Sequence, residues 1–187
     1  MVYYTSDLHI GHKAALRFDK RPFADIREME QEIIRHWNEK VTADDDAYIL
    51  GDVFYRYQGK PVDFLHQLNG RLHLITGNHD YGLLKDEEAL ACFVSVDKLK
   101  MIIDNDRRVV LCHYPMIVWN MKHFGSYHVY GHVHGNIGEE VLFMMKQERA
   151  YNAGCMINSY VPCTLEELEQ NNRKFRNDFI NKEGSLC

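Results

Sequence analysis

Apolar residues in this chain come in short runs that stop abruptly at polar residues. Val2 to Ser6 is β-prone and ends at Asp7-Leu8-His9, Ala47 to Leu50 ends at Gly51-Asp52, and Leu72 to Thr76 ends at Gly77-Asn78-His79-Asp80. Short apolar runs bounded in this way predict strands. Between the first two runs, Ile26, Met29, Ile33, Ile34 and Trp37 recur at helical spacing. With Asp25 and Glu28 placed as a capping box, Asp25 to Asn38 predicts an amphipathic helix. Val62 to Leu68 predicts another, which gives the strand, helix, strand order of a layered α/β fold.

The second half repeats the pattern. Leu99 to Ile103 and Arg107 to Cys112 flank the turn-prone Asp104-Asn105-Asp106, so a hairpin is expected, its second strand ending at His113. Tyr127 to Tyr130 predicts a strand that runs into Gly131-His132-Val133-His134-Gly135. Val141 to Met145 and Ala150 to Ala153 read as two further strands completing a sheet. Thr164 and Glu167 form a second capping box, opening a helix to about Asn181. Its stripe of Leu165, Leu168, Phe175 and Phe179 is expected to pack on a sheet. No linker, repeat or low-complexity tract interrupts the 187 residues, so one domain over 1–187 is expected.

Composition changes this picture in three ways. A net charge of −5 means that the surface as a whole repels polyanions, so any affinity for phosphate must be local. No run approaches the length of a membrane span and no signal-like segment opens the chain, so a cytoplasmic location is expected. The 5 cysteines (Cys92, Cys112, Cys155, Cys163 and Cys187) include no Cys-x-x-Cys pair, which predicts reduced thiols. The 11 histidines raise the question of whether some converge on a metal.

The strand ends answer it. They present Asp7, His9, Asp52, Asn78, His113, His132 and His134, all on segments expected to gather at one edge of an α/β sheet. Carboxylate, imidazole and amide oxygen without sulfur suit Mn, Fe, Zn, Ni or Co. The pairs Asp7 with His9 and His132 with His134 are spaced i, i+2, which on extended backbone puts both side chains on one face. Taken singly, each of these residues reads as a capped turn or a satisfied strand histidine; in company and in order, they read as ligands. The bland reading holds elsewhere. Asp44-Asp45-Asp46 reads as a solvated turn, Cys112 as a buried core thiol, and Arg17, Lys20 and Arg21 as a solvated face. His12 is balanced between substrate contact and surface.

Asp7-Leu8-His9, Gly51-Asp52, Gly77-Asn78-His79-Asp80, Cys112-His113 and Gly131-His132-Val133-His134 together resemble the calcineurin-like metallophosphoesterase family, in the family's order. The resemblance implies a four-layer sandwich of two facing mixed β-sheets with helices outside, and a dinuclear metal centre. It implies Asp7, His9 and His134 on one metal, Asn78, His113 and His132 on the other, and Asp52 bridging them. His79 would stand beside the metals as proton or hydrogen-bond donor, with Asp80 orienting it. The implied activity is hydrolysis of a phosphate monoester or diester by a metal-bridging hydroxide. Gly51-Asp52 continues into Val53-Phe54-Tyr55, without the Asp-Arg-Gly of the serine/threonine protein phosphatases, which disfavours that branch. With neither a basic surface nor an extra domain to guide DNA, the expected substrate is a small phosphorylated metabolite or nucleotide, met by a monomer or weak homo-oligomer. A non-catalytic metal-binding or scaffold protein of the same fold is the alternative, and the filled positions, His79 included, argue against it.

Overall fold

The computed structural model describes residues 1–184, so Cys187 lies outside the described residues, and Cys92, Cys112, Cys155 and Cys163 are all free thiols. Strands β1 (Val2–Thr5), β2 (Asp46–Ile49), β3 (Arg71–Ile75) and β4 (Phe93–Asp97) form a parallel sheet in that order. Strands β5 (Leu99–Asp104), β6 (Arg107–Cys112), β7 (Tyr127–Tyr130) and β8 (Ala150–Asn152) form a second sheet. Its β5–β6 pair is the expected antiparallel hairpin, and β6, β7 and β8 run parallel. The helices are α1 (Ala15–Phe18), α2 (Ile26–Lys40), α3 (Pro61–Leu65), α4 (Glu87–Leu90), α5 (Glu139–Met144) and α6 (Leu165–Gly184).

Alternation along the strands sorts the side chains into layers. Tyr3, Ala47, Ile49, Leu72 and Leu74 pack against Met29, Ile33 and Trp37 of α2 and against Phe64 and Leu65 of α3. Their neighbours Tyr4, Tyr48, Leu50 and Ile75 point the other way and meet Val109, Leu111, Val129 and Tyr151 of the second sheet, with Leu165 and Leu168 of α6 closing the edge. Val110, Tyr130 and Ala150 face outwards onto Trp119 and onto Val141 and Met144 of α5. The result is the expected four layers, two facing sheets flanked by helices, except that the first sheet is wholly parallel rather than mixed.

Several details differ from the sequence reading. Val141 to Met145 is helical: Val141 and Met144 are buried at a three-residue spacing, and Glu139 and Glu140 occupy the first turn, where the helix dipole favours acids. Strand β4 has no counterpart in the apolar pattern, because its Val94 and Val96 face solvent while only Phe93 is buried. In the acidic run at the start of β2, Asp44 lies in an exposed turn as expected, but Asp45 and Asp46 are held by specific partners. Asp45 is buried, accepting from the Thr42 N–H at 2.8 Å and hydroxyl at 2.7 Å and pairing with the amino group of Met1. Asp46 takes Arg71 in a two-pronged pair at 2.8 Å on each side. Cys112 is half-buried, not a core thiol.

Candidate metal centre

The carboxyl ends of β1, β2 and β3 from one sheet and of β6 and β7 from the other meet at one place, and the loops leaving them are stitched together by backbone bonds. The N–H groups of Asp7, His9 and Ile10 donate to the carbonyls of Gly51, Asp52 and Val53, and Gly131 N–H donates to the His113 carbonyl at 2.9 Å. Past the strand ends the chain turns sharply. Asp7, His9, Asp52, His132 and His134 have φ of 58°, 50°, 56°, 71° and 52°, a left-handed conformation uncommon for these residues and often seen where surrounding structure holds a functional site. The expectation that extended backbone aligns the i, i+2 pairs is therefore corrected: turns place them. Asp7 and His9 share one cluster, whereas His132 and His134 go to different ones.

Asp7, His9 and His134 form the first cluster, and Asp52, His113 and His132 the second, the ligand atoms of each lying within 4.8 Å of one another. Asp52 joins them. Its Oδ2 is 3.6 Å from His9 Nε2 on one side and 3.6 Å from His113 Nε2 on the other, while its Oδ1 accepts from the His79 N–H at 2.9 Å. Asn78 adds its amide oxygen 3.1 Å from His113 Nε2. All seven expected ligands are thus brought together.

The donor atoms are aimed inwards by partners behind them. His113 Nδ1 donates to the Leu50 carbonyl at 2.7 Å, which leaves Nε2 with its lone pair towards Asn78 and Asp52. His134 Nδ1 donates to Asp19 at 2.9 Å, and its Nε2 lies 3.1 Å from His9 Nε2. Oxygen and nitrogen acceptors therefore face one another at contact distance. Asp7 and Asp52 are 0% and 1% exposed, and a buried carboxylate is compensated by hydrogen-bond donors, a proton or a cation. Arg21 does not pair with either carboxylate. Its guanidinium donates to the carbonyls of Leu8 and Asp7, at 2.6 and 2.9 Å, and pairs with Asp19. Converging acceptors, buried acids and inward-facing lone pairs fit divalent ions.

Electrostatics agree. Burial pushes the Asp7 carboxyl upwards, against the pull of His134 and His113. Burial, with His134 and Arg21 adding to it, pushes His9 down to about 2, so its ring is neutral and free to ligate. Burial works to lower His134, but its bond to Asp19 and the charge of Asp7 outweigh that and raise it overall. The pocket is thus built to hold positive charge, as a proton or as a metal.

Small residues let the backbones close. A Cβ on Gly77 would stand 2.3 Å from Asp52 Oδ1, one on Gly51 would stand 2.5 Å from His113 Nδ1, and one on Gly131 would stand 1.8 Å from the Ser6 hydroxyl. The resemblance implies that Asp80 orients His79; instead Asp80 binds backbone. Its two oxygens accept from the N–H groups of Asp52 at 3.0 Å, Val53 at 2.9 Å and Gly77 at 2.7 Å, so it clamps the loop that carries Asp52. His79 is exposed, its ring 5.5 Å from His9 and edge-on to Tyr55 at 4.8 Å, outside both ligand clusters. His12 lies against Tyr55, ring centres 4.0 Å apart, and so borders the site. Arg21 is buried rather than part of a solvated face, and Asp19 was missed altogether. Its partner His134 is 115 residues away, and nothing in the local pattern marks it.

No family model matches the chain. An uncharacterized protein of Methanocaldococcus jannaschii is 28% identical over 168 residues, covering 88% of this chain and 87% of its own. A crystal structure of an Aquifex aeolicus protein of unknown function superposes with a TM-score of 0.71 at 25% identity, covering 91% of this chain and 98% of that one. Five strand ends from two facing sheets deliver the candidate ligands in the order Asp-x-His, Asp, Asn, His, His-x-His. This order of residues is the one on which the sequence resembles the calcineurin-like metallophosphoesterases. A looser match, with a TM-score of 0.47 at 22% identity, covers 71% of this chain and 60% of a Pseudomonas putida nuclease. No described helix is long and apolar enough to cross a membrane.

Proposed function

We propose that this protein is a dinuclear metal-dependent phosphoesterase acting on a small phosphate mono- or diester. The observation that carries the reading is the placement of Asp52 Oδ2, equidistant at 3.6 Å from a nitrogen of each cluster. One carboxylate shared between two incomplete ligand sets is how a chain holds two ions side by side. Asp7, His9 and His134 would hold one ion, Asn78, His113 and His132 the other, with Asp52 common to both. Bound there, two divalent ions such as manganese supply Lewis acidity to phosphoryl oxygens and lower the pKa of water.

The chain's own residues do the rest. Asp80, through its backbone bonds, fixes the Asp52 loop, and Asp19 fixes the His134 ring. His79, exposed at the mouth and braced by Tyr55, stands ready to donate a hydrogen bond or proton to the departing ester oxygen. Exposure of Asn78, His79 and His132 leaves the centre open to an incoming ester. The surface charge of −5 supports a small ligand rather than duplex DNA.

The test is hydrolysis of bis-p-nitrophenyl phosphate and p-nitrophenyl phosphate by metal-stripped protein reconstituted in turn with Mn, Fe, Zn, Ni or Co. Metal-dependent turnover is expected, and the preferred ester separates diester from monoester chemistry. Absence of metal binding would overturn the proposal.

A further inference from the structure

Two exposed aromatic side chains stand at the centre without holding it together. Tyr114 is 45% exposed and Phe18 47%. They flank opposite clusters. The Tyr114 ring is 4.8 Å from His132 and 5.0 Å from His113, whereas Phe18 is 5.9 Å from His134 and 5.3 Å from His12. Each opens onto its own cavity. Tyr114, Pro115, His132 and Asn136 border one of about 430 Å³, and Phe18, Lys20, Asn136 and Met156 border one of about 180 Å³. Asn136 is common to both, so the cavities adjoin across the turn that carries His132 and His134.

A half-exposed ring beside a charged, wet site is ordinary on its own. Two of them, one beside each cluster and each facing a cavity, form a pair flanking the candidate metal ligands. Flat nucleobases stack on such rings whatever their sequence, and one stacked base changes affinity by about 10- to 100-fold. Resting on the two-metal reading above, we propose that the substrate is a phosphodiester linking two nucleosides, with one base stacked on Phe18 and the other on Tyr114. A monoester carries one base and leaves the second platform empty. The negative overall charge favours a short strand over a long one. The reaction adds water across one P–O bond: hydroxide oxygen joins phosphorus, the ester oxygen departs with a proton, and a nucleotide monoester and a free hydroxyl result.

The experiment uses a dinucleotide whose linkage is a non-hydrolysable methylenephosphonate and which carries fluorescent 2-aminopurine at one end or the other. Stacking on an aromatic ring quenches this base. With metal-loaded protein, both labelled forms are expected to be quenched and to bind at least about tenfold more tightly than the methyl ester of a single nucleotide. Phe18→Ala is expected to restore fluorescence at one end only and Tyr114→Ala at the other, each weakening binding by about 10- to 100-fold. Tyr114→Phe and Phe18→Tyr, which keep the rings, retain quenching and control for misfolding. Quenching that survives both alanine variants, or a dinucleotide that binds no better than the one-base ester, overturns the inference. If p-nitrophenyl esters are hydrolysed in a metal-dependent way under those same conditions, the phosphoesterase reading stands while the two-base substrate falls; if no metal binds, both fall.

Discussion

His134 shows how much one ring depends on what stands behind it. Asp19 holds its Nδ1 at 2.9 Å, and Arg21 in turn holds Asp19 while gripping the carbonyls of Asp7 and Leu8. Outer partners of ligand histidines typically change metal affinity by about 10- to 100-fold. Asp19→Asn is therefore expected to weaken metal binding by that factor while the fold survives, as read by calorimetric titration with Mn or Zn; unchanged affinity would remove Asp19 from the account. His79 carries the complementary expectation. Since it lies outside both clusters, His79→Ala should keep both metals and lower turnover by about 10²- to 10⁴-fold. Loss of metal, or full activity, would contradict its role.

Asp45 gives a prediction about pH. Hydrogen bonds from the N-terminal amine and from Thr42 hold its carboxyl at about 2, below the ordinary 3.8. A pKa depressed by folding stabilises the protein above the unfolded value and ceases to do so as pH falls through the folded one. Wild type should exceed Asp45→Asn in stability by a constant margin above about pH 5, and that margin should shrink as the pH approaches 2. Urea unfolding of both proteins across that range measures it, and a margin independent of pH would show that Asp45 contributes nothing through its charge.

Among the elements, α2 shows local rules and packing pointing the same way. Asp25 accepts from the Glu28 N–H at 2.9 Å, and Met29, Ile33 and Trp37 are buried on one face. The partner half of the box differs from expectation, because Glu28 reaches back to the N–H of Ala24 rather than to that of the cap. Asp25→Ala should cost about 0.5–2 kcal/mol, measurable by urea denaturation, with activity retained. At α6 the box closes in both directions: Thr164 N–H donates to Glu167 at 2.8 Å, and Glu167 N–H donates to the Thr164 hydroxyl at 3.4 Å. Elements with strong periodicity and caps were legible in the sequence. α5 and β4 were not, because a few apolar residues fit either period in α5, and in β4 the apolar Val94 and Val96 face outwards.

Across the whole molecule, the centre ties two sheets together. Asp7 from the end of β1 accepts from the His132 N–H beyond β7, at 3.1 and 3.0 Å, across 125 residues of sequence. Ions bound there would bind the folded chain and not the unfolded one, so they must stabilise it. At a metal concentration of 100 Kd the gain is about 2.7 kcal/mol, seen as a rise in Tm that a chelator reverses. Asp52→Asn should blunt that rise, since Asp52 serves both clusters; an undiminished rise would show that metal binds elsewhere.

The sequence by itself determined the strands that end in polar residues, the α2 and α6 helices, and the seven polar residues that converge beyond the strand ends. It could do so because apolar periodicity and residue chemistry are local properties written directly in the chain. Only the tertiary structure decided that left-handed turns rather than extended backbone aim the ligands, that Asp80 grips backbone rather than His79, and that Asp19 and Arg21 brace the site from behind. These depend on contacts between segments far apart in sequence, which form only when the carboxyl edges of the two sheets are brought face to face.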